Sequence, residues 1–157
     1  MPVSPPPDAK ALTKALVVSG QPWTSVTVVE ATGSTNADLV DAARRGAPNG
    51  TILITDNQTA GRARLDRAWT TPPGVSVATS VLLRPTDVPL DRWPWLSLMT
   101  GVGLVDGIRG ATGLPVGLKW PNDVLVGDRK LCGLLAERFE TPDGPAVVLG
   151  FGINVSM

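Results

Sequence analysis

Histidine is absent from this 157-residue chain. With it go a serine–histidine triad, a histidine general base and most zinc sites. Cysteine occurs once, at Cys132, so neither an intramolecular disulfide nor a CxxC pair can form. That thiol sits in an apolar run, Leu131-Cys132-Gly133-Leu134-Leu135, and reads as a buried, inert position rather than a nucleophile. Net charge is missing too. Fourteen basic residues face 14 acidic ones and the pI is about 6.2, so no basic field favours nucleic acid. No apolar stretch reaches the ~18 residues of a membrane-spanning helix, and no signal-peptide pattern opens the chain. These absences lead to the expectation of a cytoplasmic protein with neither nucleic acid nor membrane as partner.

What is present fits one domain, long enough to bury roughly two-thirds of its extended-chain surface. Residues 1–7, which include Pro2–Pro7 (PVSPPP), are expected as a disordered or extended lead, and 8–157 as the folded unit. Asp8 can cap a short helix over Ala9–Val18. Val26–Val29 reads as a strand. Ser34 or Thr35 caps a helix through Ala43, with Thr35 and Asp38 in capping-box spacing and Gly46 as the stop. Thr51–Thr55 and Val75–Leu83 read as strands, and Leu90–Gly110 as a helix with Trp93, Leu96, Leu98, Val102, Val105 and Ile108 on its apolar face. Strands follow at Gly117–Trp120, Val124–Val126, Lys130–Phe139 and Ala146–Val155, with turns at Gly127–Arg129 and Thr141–Pro145. The expected class is α+β: a mixed, largely antiparallel sheet packed with about three helices. Because the sequence stops directly after a strand, a C-terminally truncated domain is expected.

Three polar clusters stand out of this apolar background. Asn57–Trp69 (NQTAGRARLDRAW) puts Arg62, Arg64 and Arg67 within six residues, after Thr59-Ala60-Gly61. Guanidinium forks bind phosphate and carboxylate oxygens bidentately, so the loop suits an anion. Lys119-Trp120-Pro121-Asn122-Asp123 sets a lysine, an amide and a carboxylate at a strand exit, where the lysine can neutralise an anion and the aspartate can hold Mg²⁺ through oxygen. A plain Pro-Asn-Asp turn with Lys119 in water explains the same residues. Ser34-Thr35-Asn36 is explained by a helix cap alone. No GxxxxGK[ST] loop occurs, and Gly101-Val102-Gly103 and Gly150-Phe151-Gly152 lack the context of a dinucleotide-binding turn.

Together, in this order and spacing, GSTN, QTAGRxR…RxW, KWPND…KLxGLL and GxGINV resemble the catalytic domain of the biotin–protein ligases (biotin–[acetyl-CoA-carboxylase] ligases), over about Thr32–Val155. The resemblance implies a two-step reaction. Biotin and MgATP give biotinoyl-5′-AMP and pyrophosphate, and the acyl group then passes to a lysine of a biotin carboxyl-carrier protein domain. By motif position, Ser34, Thr35, Asn36 and Gln58 would hold biotin, beside Gly61, Arg62, Ala63 and Arg64 of the loop. Lys119 and Arg64 would be catalytic, Lys119 lying between the biotin carboxylate and the α-phosphate. Arg67, Trp69, Asn122, Lys130 and Asn154 would serve ATP, and Asp123 the Mg²⁺. The resemblance also covers lipoate and octanoate ligases. A biotin-binding module without activity is the alternative of a different class, and a monomer or weak homodimer is expected.

The family loop reads GRGRxGRxW, whereas here Ala63 and Asp66 replace its second and third glycines. Alanine in a left-handed conformation would cost roughly 1–2 kcal/mol, so a looser lid is expected. The 30 residues before the resemblance are too few for a helix-turn-helix domain, so a ligase without the repressor function is expected.

Overall fold

The computed structural model describes residues 4–156. Its centre is a seven-stranded sheet. In chain order the strands are β1 (Ser25–Val28), β2 (Thr51–Thr55), the short pair β3 (Gly61–Arg62) and β4 (Ala68–Trp69), β5 (Ser76–Leu83), β6 (Val116–Lys119), β7 (Asp123–Val126), β8 (Arg129–Thr141) and β9 (Gly144–Asn154). The large sheet runs β1-β2-β5-β9-β8-β7-β6, and β3 pairs with β4 apart from it. Only β1 and β2 are parallel, joined through helix α2 (Thr35–Arg44); the other pairs are antiparallel, as expected for a mixed, largely antiparallel sheet. The last strand, β9, is the middle one.

Alternation along the strands divides the core in two. Leu53, Leu82, Ala146 and Val148 pack under Leu39 and Ala43 of α2. Their sequence neighbours Ile52, Ile54 and Val81 point the other way, toward Leu12 and Leu16 of α1 (Ala9–Leu16). On that second side Val116, Val124, Cys132 and Leu134 meet Val105 of α3 (Trp95–Thr112). Side chains two apart share a face, so one strand serves both layers.

Helix boundaries follow local chemistry. Asp8 caps α1 by accepting from the amides of Lys10 and Ala11. Ser34, not Thr35, caps α2; the Thr35 hydroxyl is used elsewhere, and Asp38 accepts from the Thr32 hydroxyl rather than closing a capping box. The helix expected over Leu90–Gly110 is split: a 3-10 turn (Leu90–Arg92) precedes Pro94, and α3 runs from Trp95 to Thr112, ending at Gly113 with φ 71°. Proline fits a helix start and not its interior. Trp93 is buried in the turn, its indole donating to Val88 O, while Val102, expected on the core face, is half exposed. Residues 4–7 carry no helix or strand, with Pro6 and Pro7 against Val28–Glu30 and Asp56; Pro2 and Val3 of the proline-rich lead lie outside the described residues.

Candidate active site

The same alternation builds the floor of a cleft at the N-terminal end of α2. On β9, Val147, Leu149, Phe151 and Ile153 enter the hydrophobic clusters of the far face, leaving Gly150, Gly152 and Asn154 to the near face. Across the ladder Gly133 pairs with Gly152, Leu135 with Gly150 and Glu137 with Val148. From β5, Ser80 pairs with Gly150 and Ala78 with Gly152. The Gly-Phe-Gly run is therefore a period-two pattern, with two glycines on the floor and an aromatic in the core.

Polar groups from four segments close one wall. The Thr35 amide and hydroxyl donate to Gln58 Oε1 at 2.9 and 3.0 Å. This fixes the Gln58 oxygen toward the helix and leaves its NH₂ over Gly61. Ser80 Oγ lies 2.7 Å from Thr35 Oγ1 and 2.6 Å from Asn36 Oδ1. Asn36 Nδ2 donates to Glu137 Oε2 at 2.7 Å and to Leu135 O at 3.3 Å. Ser34, Thr35, Asn36 and Ser80 are all buried, and buried polar groups that satisfy one another hold a rigid geometry. Gln58 is brought in by backbone bonds from Thr59 to Thr32 and from Ala60 to Gly33. The expected cluster of Ser34, Thr35, Asn36 and Gln58 is thus assembled, and Ser80 and Glu137, which sequence reading did not single out, complete it.

The arginine loop folds over this wall as a hairpin, β3 against β4. Gly61 is required for the approach, since a Cβ there would sit 2.5 Å from Trp69 O. At the tip the Ala63 amide donates to Arg67 O at 2.7 Å, and Leu65 and Asp66 take φ of 58° and 55°. The expectation of strain at Ala63 is corrected: the left-handed positions are Leu65 and Asp66, so only the third family glycine is replaced at such a site. Aspartate tolerates it better than most residues. Arg62 Nη2 pairs with Glu137 Oε2 at 3.0 Å, and Arg64 Nη1 donates to Asn122 Oδ1 at 3.3 Å. Asn122 is itself tied down through Nδ2 to Leu134 O at 3.0 Å.

Trp69 lies flat on the floor. A Cβ on Gly152 would be 2.9 Å from its ring, and one on Gly133 3.0 Å. Lys130 Nζ stands 5.2 Å from a Trp69 ring centroid and 2.9 Å from Asp123 Oδ1. The tryptophan separates two recesses. The inner one, of about 40 Å³, is lined by Ser34, Thr35, Asn36, Gln58, Gly150 and Lys130 among others. The outer one, of about 670 Å³, is lined by Trp69, Thr71, Val126, Arg129, Lys130 and Asn154. Within it Asn154 donates through Nδ2 to Lys130 O at 3.0 Å. Asn154 Oδ1 and Trp69 Nε1 are buried with no hydrogen-bond partner, an unmet acceptor and donor that a ligand can satisfy.

Other expected residues lie apart. Lys119 is exposed at the end of the edge strand β6, on the face it shares by register with Asp123 and Gly133, but it lines neither recess. Arg64 and Arg67 line a groove under the lid rather than the inner recess. Asp123 is engaged by Lys130, and among the described residues no three or more His, Cys, Asp or Glu are grouped so as to hold a metal ion. The residues present do not make a protein-built Mg²⁺ site. Cys132 faces α3, and burial pushes its thiol up to about 12; the nearby Lys130 offsets this slightly and Asp123 adds to it. It is chemically quiet.

Residues 28–154 match the model of the "Biotin/lipoate A/B protein ligase family". The chain belongs to that family. It is 44% identical over 156 residues to the biotin--[acetyl-CoA-carboxylase] ligase of Mycobacterium tuberculosis, covering 97% of this chain and 57% of that protein. It is 37% identical to the bifunctional ligase/repressor BirA of Escherichia coli, covering 85% of this chain and 41% of that one. Among solved structures, the biotin protein ligase of Aquifex aeolicus in complex with biotin and ATP matches at a TM-score of 0.68 and 32% identity, over 86% of this chain and 54% of that one. The chain thus spans about half the length of these relatives. In this family member, the wall at the start of α2, the hairpin lid and the two recesses fall inside the matched residues, apart from Val155 of the outer recess.

Proposed function

We propose that this chain forms the part of a biotin–protein ligase that activates biotin with ATP to biotinoyl-5′-AMP, releasing pyrophosphate. The acyl group then goes to the ε-amine of one lysine on a biotin carboxyl-carrier domain, such as that of acetyl-CoA carboxylase. The observation that carries this reading is the pair of recesses meeting at Trp69 and Lys130. Two substrates that must react end to end need adjoining pockets with a cation at the junction. The names of the relatives, and the biotin and ATP held by the Aquifex enzyme, point the same way.

In this reading the inner recess, about 40 Å³ with the hairpin lid down, widens as the lid lifts and takes biotin. Its hydroxyls and carboxamides suit a neutral urea, and the Gln58 NH₂ is left to donate to the ureido oxygen. A purely aliphatic lipoyl or octanoyl chain would cover the Gln58 NH₂ without offering it an acceptor, at roughly 1–3 kcal/mol. The outer recess takes ATP. Asn154 Oδ1 accepts from the adenine amine, and the Trp69 ring contributes its face. Lys119, in register with Asp123 on the cleft face and in no ion pair among the described residues, keeps the junction position that the resemblance gave it. Lys130, which lines both recesses but is paired with Asp123, assists it. The Lys119 charge polarises the biotin carboxylate and α-phosphate and stabilises negative charge as the oxygen attacks phosphorus. Arg64 and Arg67 close over the phosphates as the lid settles. Mg²⁺ accompanies the triphosphate and takes its ligands from phosphate and water.

Biotin-dependent exchange of pyrophosphate into ATP, with titration calorimetry of biotin against lipoate, tests the proposal. Biotin should bind and lipoate should not. Lys119→Ala should slow exchange at least about tenfold, the value of one charge-assisted hydrogen bond, and Lys130→Ala should slow it less. Binding of lipoate in preference to biotin, or unchanged exchange in Lys119→Ala, would overturn the reading.

A further inference from the structure

Among the described residues, Glu137 is the one carboxylate bonded to both the rigid wall and the lid. It rises from β8 on the cleft face, paired across the ladder with Val148. Its Oε2 accepts from Asn36 Nδ2 at 2.7 Å and from Arg62 Nη2 at 3.0 Å. Its side chain is only 25% exposed, whereas Arg62 is 48% exposed. Asn36 cannot move to suit the lid. Its Oδ1 is held by Ser80, and a Cβ on Gly150 would overlap its carboxamide. Glu137 is therefore fixed by the wall and offers its charge outward to the hairpin.

We infer that Glu137 is a positioning residue that latches the arginine lid, acting through Arg62, and that Arg62 serves as the strut of the lid rather than as a ligand cation. Three features of the site support this. The Arg62 charge is neutralised by Glu137, while Arg64 and Arg67 form no ion pair among the described residues and remain free for an anion. The hairpin has only two paired residues per strand and carries two left-handed residues at its tip, so it holds little order of its own. Outside Trp69, its charged anchors to the body are the Arg62–Glu137 pair and the Arg64–Asn122 bond. The latch deepens the proposed biotin-activating reading, since a lid held shut would keep the adenylate from water, but the latch itself can be tested without any ligand.

The test is limited trypsin digestion of the ligand-free protein, with cleavage after Arg64 and Arg67 followed by mass spectrometry. A half-exposed ion pair is worth a modest shift in the opening equilibrium, so Glu137→Gln should speed cleavage there about two- to fivefold. The glutamine keeps an oxygen for Asn36 and removes only the charge. Arg62→Gln should do the same from the other side, and it reads the latch even if Glu137→Gln folds poorly. The double variant should be no faster than either single one, because both remove the same pair. Raising salt should speed cleavage of the wild type and leave the variants unaffected, a response that a merely structural glutamate would not give. In pyrophosphate exchange, Glu137→Gln should raise KM for biotin more than it lowers kcat. Equal cleavage rates in wild type and both single variants, or additive effects in the double variant, would overturn the latch. Absence of exchange in the wild type would instead count against the biotin reading and leave the digestion result standing.

Discussion

The wall at the start of α2 and the lid that covers it are built on opposite plans. In the wall, Thr35, Asn36 and Ser80 are buried, and each is bonded to groups from other segments. In the lid, Arg62, Arg64, Asp66 and Arg67 are exposed, and Leu65 is 79% exposed at a φ of 58°. The wall takes its shape from the sheet and helix beneath it. The lid is held to the body by one ion pair, one side-chain hydrogen bond and the seat of Trp69 on two glycines. A site of this kind separates two tasks: a preformed surface for recognition, and a cover that can move without disturbing it.

If that separation holds, substitutions in the wall should register in global stability and substitutions in the lid should not. Gly150→Ala should have the largest effect, since its methyl would overlap the Asn36 carboxamide. Overpacking of this type costs about 3 kcal/mol, measurable as a lower urea midpoint. Ser80→Ala should follow at about 2 kcal/mol, the cost of leaving a buried acceptor without its donor; the single Ser80 proton serves Asn36 Oδ1 or Thr35 Oγ1. At the small end, Asp66→Gly should change the unfolding free energy by no more than about 0.5 kcal/mol, although it relieves a left-handed residue. A lid substitution that shifted the urea midpoint as far as Ser80→Ala would break the comparison. Lid effects that appear only in digestion or ligand release would sharpen it.

Much of the fold was legible because its signals are local. β-branched runs marked β1, β2 and β5, and Asp8 and Ser34 supplied caps one residue before their helices. Pro94 was the exception: apolar spacing suggested one helix across it, but the ring broke the helix there. The motifs also placed Ser34, Thr35, Asn36, Gln58, Lys130 and Asn154 where the structure brings them to the recesses. Ser80 and Glu137 escaped notice because each stands alone in an ordinary strand, with no neighbouring motif. Strict alternation along β5 and β8 would have put both on the cleft face, but only once those strands were known to flank β9.

The sequence by itself determined the element types and the family, because periodicity, caps and motif spacing are written in neighbouring residues. Only the tertiary structure decided which charges meet. Arg62 and Glu137 are 75 residues apart in the chain, and Asn36 and Glu137 are 101 apart. Those pairings arise from strand order and register, in which β5, β9 and β8 lie side by side beneath α2, and no local pattern specifies that order. The same register left Lys119 at the sheet edge and set Lys130 between the two recesses.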